Sequence, residues 1–187
     1  MFQMTKTVGL IVGSLRKNSF TRAVAEQMAA FLPEDYVVKD IEIGKLDLYN
    51  QDLDDENRVP ESWQNFRAEM KTVDAVIFAT PEYNRSVPGV LKNAIDVGSR
   101  PYGESIWDKK PAVVLSVSPG AISGFGANHH LRQSLVFLNM PALQQPELYI
   151  GNVTELLDDN LKIKNEGTLK FLADAMNTFA DFIERLS

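Results

Sequence analysis

Thr7-Val8-Gly9-Leu10-Ile11-Val12-Gly13-Ser14-Leu15-Arg16-Lys17-Asn18-Ser19-Phe20-Thr21 passes from an unbroken apolar run, through a polar loop, into helical spacing. An apolar run without alternation marks a strand covered on both faces, the habit of parallel sheets. From Phe20 to Leu32 the residues Phe20, Ala23, Val24, Met28 and Phe31 fall on one stripe, and Pro33 stops it. Strand, loop and helix in that order open a β-α-β unit.

The same alternation continues along the chain. Further strands are expected at Tyr36–Ile41, which is more polar and reads as an edge, at Ala75–Ala79 and at Ala112–Val117. A fifth lies between Ala142 and Ile150, broken by Pro146. Helical spacing separates them at Pro60–Val73 (Trp63, Phe66, Met70), Val87–Val97 (Val90, Leu91, Ile95) and Asn128–Met140 (Leu131, Leu135, Leu138). Gly167–Leu186 forms a closing helix with Leu169, Leu172, Met176, Phe179 and Ile183 inward. The pattern predicts an α/β, doubly wound, open parallel sheet. Its strand order is either 2-1-3-4-5 or of the Rossmann type. No repeat or linker interrupts it, so one domain over 1–187 is expected. The acidic stretch Asp47–Glu56 reads as a solvated loop.

Composition narrows the function. Hydrophobic residues make up 44% and charged residues 24%, as in ordinary globular proteins. There is no cysteine, which removes disulfides, thiolate metal sites and a cysteine nucleophile, and fits a reducing compartment such as the cytoplasm. The charge balance, 19 − 25 = −6, gives no reason to expect nucleic acid. Met1–Lys6 lacks a leader's layout, and no apolar run reaches the roughly 20 residues of a membrane span. The only histidines, His129 and His130, are helix neighbours pointing about 100° apart and so cannot jointly chelate a metal. One is expected to pack and the other to be solvated or to meet a partner subunit.

Ligands of open α/β sheets bind beyond the carboxyl ends of the strands. Three loops occupy that position. The first, Gly13 to Thr21, lacks both Gly-x-Gly-x-x-Gly and a Walker A pattern, but offers Ser14, Ser19, Thr21 and Arg16 at a helix start. Hydroxyls, a guanidinium and free amides are what a terminal phosphate needs. The second, Thr80-Pro81-Glu82-Tyr83-Asn84-Arg85-Ser86-Val87-Pro88-Gly89, is stiffened by prolines and carries an aromatic and an amide. The third, Ser116 to Gly126, contains three glycines, which permit close approach of a ligand.

With these loops in view, the sequence resembles the NADPH-dependent FMN reductase family of flavodoxin-like proteins, particularly its bacterial quinone, azo-dye and chromate reductases. The resemblance spans essentially the full chain. It is carried by Gly13-Ser14-Leu15-Arg16-Lys17-Asn18-Ser19-Phe20, by Pro81-Glu82-Tyr83-Asn84 through Leu91-Lys92-Asn93-Ala94-Ile95-Asp96, and by His130-Leu131-Arg132-Gln133. It implies a three-layer α/β/α sandwich of order 2-1-3-4-5. It further implies FMN with its phosphate among Ser14, Arg16, Ser19, Phe20 and Thr21. The ring would be bordered by Pro81, Glu82, Tyr83 and Asn84, with Ser118 and Gly120 closing the opposite edge. Two positions depart from the family pattern: Thr21, where relatives often carry asparagine, and Val97, where many carry tryptophan.

The implied chemistry is hydride transfer from NADPH or NADH to flavin N5, then reduction of a quinone, azo dye, free flavin or metal oxyanion in a ping-pong cycle. The cofactor performs the covalent steps, so no side chain is nominated as catalytic and no metal is expected. Arg85 or Arg100 is a candidate for the 2′-phosphate of NADPH. Family members form homodimers or homotetramers, which makes Val87–Val97 and Asn128–Met140 candidate contact helices. The alternatives are a flavodoxin-type carrier docking to proteins without oxidising NAD(P)H, and a flavin-free domain on the same scaffold.

Overall fold

In the computed structural model residues 5–186 are described; the first four residues of the Met1–Lys6 stretch lie outside them. The elements run β1 (Lys6–Val12), α1 (Phe20–Ala29), β2 (Tyr36–Asp40), α2 (Gln51–Asp55), α3 (Glu61–Lys71) and β3 (Ala75–Thr80). They continue with α4 (Gly89–Gly98), β4 (Ala112–Val117), α5 (Phe125–Phe137), β5 (Leu148–Ile150), α6 (Val153–Leu156) and α7 (Glu166–Leu186). The strands form one parallel sheet in the order β2-β1-β3-β4-β5, the flavodoxin-like choice between the two orders the periodicity allowed.

Every residue of β3 and β4 is buried, which is why their sequences read as continuous apolar runs. Alternate residues serve opposite faces. Val8, Leu10, Ile77, Ala79, Val113 and Leu115 pack with Val24 and Met28 of α1 and with Leu172, Met176 and Phe179 of α7. Ile11, Val76, Phe78 and Val114 face Trp63, Phe66, Leu91, Trp107, Leu131 and Leu135 on the other side. These are the three layers. Strand order reverses between β1 and β3, which pair Val8 with Ala75 and Val12 with Ala79, and the carboxyl end of that junction is where the three loops emerge.

Three expectations are corrected. The fifth strand is only Leu148–Ile150: Ala142 makes a single bridge to Ala112, and Pro146, having no N–H to donate, interrupts the ladder before Leu148. Helix α5 begins at Phe125 rather than Asn128, because Gly124 takes a left-handed φ of 73° that starts the helix a turn early. The stretch Asp47–Glu56 is solvated along most of its length, as expected, but Gln51–Asp55 is helical and the Asp54 side chain is buried. Asn50 caps α2 by accepting the Asp52 N–H at 3.1 Å, and the Asp54 carboxylate, only 3% exposed, takes both ends of the Arg67 guanidinium at 2.7 and 2.8 Å. Arg67 also donates to the Val97 carbonyl at 3.0 Å and lies 5.3 Å from the Trp63 ring centroid, so this acidic segment fastens α2 to α3 and α4.

Candidate functional site

The first loop runs from the carboxyl end of β1 to the start of α1. Ser19 is the N-cap: its backbone is extended, and its Oγ accepts the Arg22 N–H at 3.1 Å. Replacing Ser19 with alanine is therefore expected to cost about 1 kcal/mol of folding stability even in the absence of ligand, read as a shift of the urea midpoint. The cap leaves donors over. The Phe20 and Thr21 N–H groups have no acceptor among the described residues. Nor do the Ser14 and Thr21 hydroxyls have a partner there, although Ser14, Ser19 and Thr21 are each no more than 5% exposed. Neither hydroxyl oxygen is sealed from solvent, so both are free to donate to a group entering from outside. The first turn of α1 carries no acidic side chain, and Arg16, which lies 5.4 Å from the Phe20 ring centroid, has no carboxylate partner among the described residues. Unmet donors, an uncompensated helix N-terminus and a free guanidinium together fit a phosphate dianion.

The second loop is built around a tight turn. Tyr83 and Ser86 exchange N–H···O bonds of 3.0 Å in both directions, and Asn84 and Arg85 between them have φ of 51° and 65°. Two successive positive values are the mark of a type I′ turn. Asparagine tolerates them, whereas for arginine the conformation costs of order 1–3 kcal/mol and persists only where surroundings enforce it. Those surroundings are α5. Glu82 accepts the Ala127 N–H at 3.1 Å and Arg85 Nη1 at 3.0 Å, and Ser86 Oγ lies 2.9 Å from His130 Nδ1. Helix α5 is itself fixed to the sheet by fully buried Asn128, whose Nδ2 reaches Ser116 Oγ and the Leu148 carbonyl at 3.4 Å each.

The three loops meet in a cleft of ≈ 220 Å³ lined by Ser14, Arg16, Ser19, Phe20, Thr21, Pro81, Glu82, Tyr83 and Ser118, together with Val117 and Pro119. Asn84 and Gly120 were expected at this site but do not line it: Asn84 sits at the exposed tip of the turn, and Gly120 is occupied in the third loop, donating to Ser118 Oγ at 3.1 Å. Val117 and Pro119 were missed because an apolar strand end and a proline carry no chemical signal of their own. The cleft is smaller than the ~300–1,000 Å³ of pockets that engulf a whole ligand. It suits a phosphate and a polyol tail, with a planar ring left along the lip beside Tyr83, which is half exposed.

Both histidines are exposed, so neither packs in the core as expected. His129 lies between Phe125, 4.1 Å away by ring centroids, and Tyr149, whose hydroxyl is 3.1 Å from its Nε2. Burial and a hydrogen bond to Glu147 push the Tyr149 hydroxyl up to about 12. Of the two arginines considered for a 2′-phosphate, Arg85 is paired with Glu82, whereas Arg100 has no carboxylate partner among the described residues. Arg100 lines a separate groove of ≈ 740 Å³ between α4 and α5, bordered also by Lys92, His130 and Phe137. That groove is larger than the ≈ 220 Å³ cleft, but the unpartnered donors of the first loop converge on the smaller one.

Comparison with known proteins follows the same line. Residues 6–155 match the family model described as NADPH-dependent FMN reductase. A quinone reductase of Pseudomonas putida is 54% identical over 178 residues, 95% of each chain. A 2-hydroxy-1,4-benzoquinone reductase of a Burkholderia species is 39% identical, covering 96% of this chain and 97% of that one. Among solved structures, the flavoenzyme NAD(P)H:(acceptor) oxidoreductase FerB of Paracoccus denitrificans superposes with a TM-score of 0.88 at 37% identity, covering 96% of this chain and 98% of its own.

Proposed function

The chain belongs to the NADPH-dependent FMN reductase family, and from that premise we propose that it is an FMN-dependent NAD(P)H oxidoreductase of the quinone reductase type. The observation that carries the reading is the cluster of unmet donors at the start of α1, Ser14, Thr21 and the Phe20 and Thr21 amides, beside Arg16. When bound, FMN supplies a two-electron relay between the nicotinamide and the acceptor. The chain's own residues bind and orient. Arg16, Ser14, Ser19, Phe20 and Thr21 hold the phosphate; Pro81, Glu82, Tyr83 and Ser118 border the ring, with Asn84 and Gly120 more distant. Because the cleft is too small to enclose the ring, one ring face stays open to donor and acceptor in turn. That fits a small quinone, and it extends to azo dyes, free flavin and metal oxyanions.

The family and its reductase relatives favour this reading over a flavodoxin-type carrier. The test is the absorption spectrum of the purified protein and its bleaching by NADPH or NADH without oxygen. Flavin-loaded protein that stays oxidised with both donors would be incompatible with it.

The whole chain would serve as one FMN-binding domain, working in the cytoplasm, in keeping with a cysteine-free sequence. Among the described residues no helix is long and apolar enough to cross a membrane. A homodimer or homotetramer would form through α4 and α5, where Val136 and Phe137 stand 80% and 78% exposed. Phe137→Asp is expected to shift the sedimentation coefficient to that of a monomer; an unchanged value would place the contact elsewhere.

A further inference from the structure

We propose that Glu82 is a positioning residue that acts through the N-terminus of α5 to hold the flavin-side loop in its single turn conformation. The inference rests on the cleft being the flavin site. Four observations converge on it. Helix α5 has Gly124 as its N-cap and no side-chain cap of its own, and the Glu82 carboxylate fills that role from another loop by accepting the Ala127 N–H at 3.1 Å. The same carboxylate, 10% exposed, takes Arg85 Nη1 at 3.0 Å, so one group ties the helix to the residue with the least favourable φ in the turn. The close approach has been provided for in the sequence: a Cβ at Gly126 would meet the Arg85 carbonyl oxygen at 2.7 Å and Glu82 Oε2 at 3.0 Å. Finally, the Glu82, Asn84 and Arg85 N–H groups have no acceptor among the described residues, so the turn is held from the helix side while its amides stay available.

The consequence is specific. Phosphate binding depends on the first loop, whereas ring binding depends on a turn that Glu82 fixes. Losing Glu82 should weaken riboflavin and FMN alike, with the ratio of their affinities unchanged.

The experiment uses the full-length protein stripped of flavin and titrated with FMN and with riboflavin, following flavin fluorescence, alongside thermal unfolding. Glu82→Ala is expected to weaken both ligands about tenfold, the scale of one charge-assisted hydrogen bond, and to leave the FMN-to-riboflavin ratio at the parent value. Glu82→Gln keeps an oxygen for the Ala127 N–H and is expected to stay within about threefold. Gly126→Ala, which forces the turn and helix apart, should act in the same direction, and its combination with Glu82→Ala should fall short of the sum. That variant keeps the test decisive if Glu82→Ala does not fold. Parent-like affinity for both flavins in Glu82→Ala and Gly126→Ala, with only the melting temperature lowered, would reduce Glu82 to a structural cap and overturn the proposal. A changed FMN-to-riboflavin ratio in Glu82→Ala would overturn it too, by placing Glu82 at the phosphate. A parent protein that binds neither flavin would instead overturn the cofactor reading itself.

Discussion

Asp54→Ala is expected to lower the unfolding free energy by about 3–5 kcal/mol, the usual penalty for removing one partner of a buried ion pair. The Asp54 side chain is only 3% exposed and that of Arg67 12%. Without the carboxylate, two N–H groups of the guanidinium at 2.7 and 2.8 Å lose their acceptor. Arg67 cannot simply swing out, because its Nε remains bonded to the Val97 carbonyl and its plane lies near Trp63. The loss is therefore mainly that of a stranded cation, and replacing both partners together, Asp54→Leu with Arg67→Met, should cost much less than the single change. Urea unfolding measures both. A single-variant loss below about 1 kcal/mol would mean that water reaches the pair, as at a surface bridge.

Arg16→Ala is expected to weaken FMN by about 1.5–3 kcal/mol, tenfold or more in Kd, through loss of a charge-assisted phosphate contact. Arg16 is solvent-exposed and free of carboxylate partners among the described residues, so its removal strands no buried group and should leave the melting temperature of the flavin-free protein near the parent value. Riboflavin, which has no phosphate, serves as the internal control and should bind both forms alike. Equal losses for FMN and riboflavin would show that Arg16 touches the ring or shapes the loop, and the phosphate would then have to be held by α1 alone.

Much of the fold was legible because its central strands are buried on both faces. β1, β3 and β4 had to be written as unbroken apolar runs, and the stripes of α3 and α7 emerge with Trp63, Phe66, Met70, Leu172, Met176, Phe179 and Ile183 buried as spaced. What was not legible depended on pairings distant in sequence. Nothing local distinguishes Asp54 from the acidic residues beside it; its burial comes from Arg67, thirteen positions away. The short β5 was blurred by two prolines and one isolated bridge. At the site, the first loop was readable because strand, polar turn and capped helix are contiguous. The role of Glu82 was not, since it requires knowing that the second loop abuts the start of α5 forty-five positions on.

The sheet's outer borders carry one more consequence. Its two flanking strands have only five and three residues, and in the longer, β2, exposed Val37 and Val38 are followed directly by Lys39 and Asp40. An unpaired strand margin is a template on which further chains can stack, and charge and brevity are what blunt it. Aggregation of the native protein should therefore begin along Tyr36–Asp40, and neutralising Lys39 and Asp40 together would leave two adjacent valines on an uncharged margin, the composition from which fibrils nucleate.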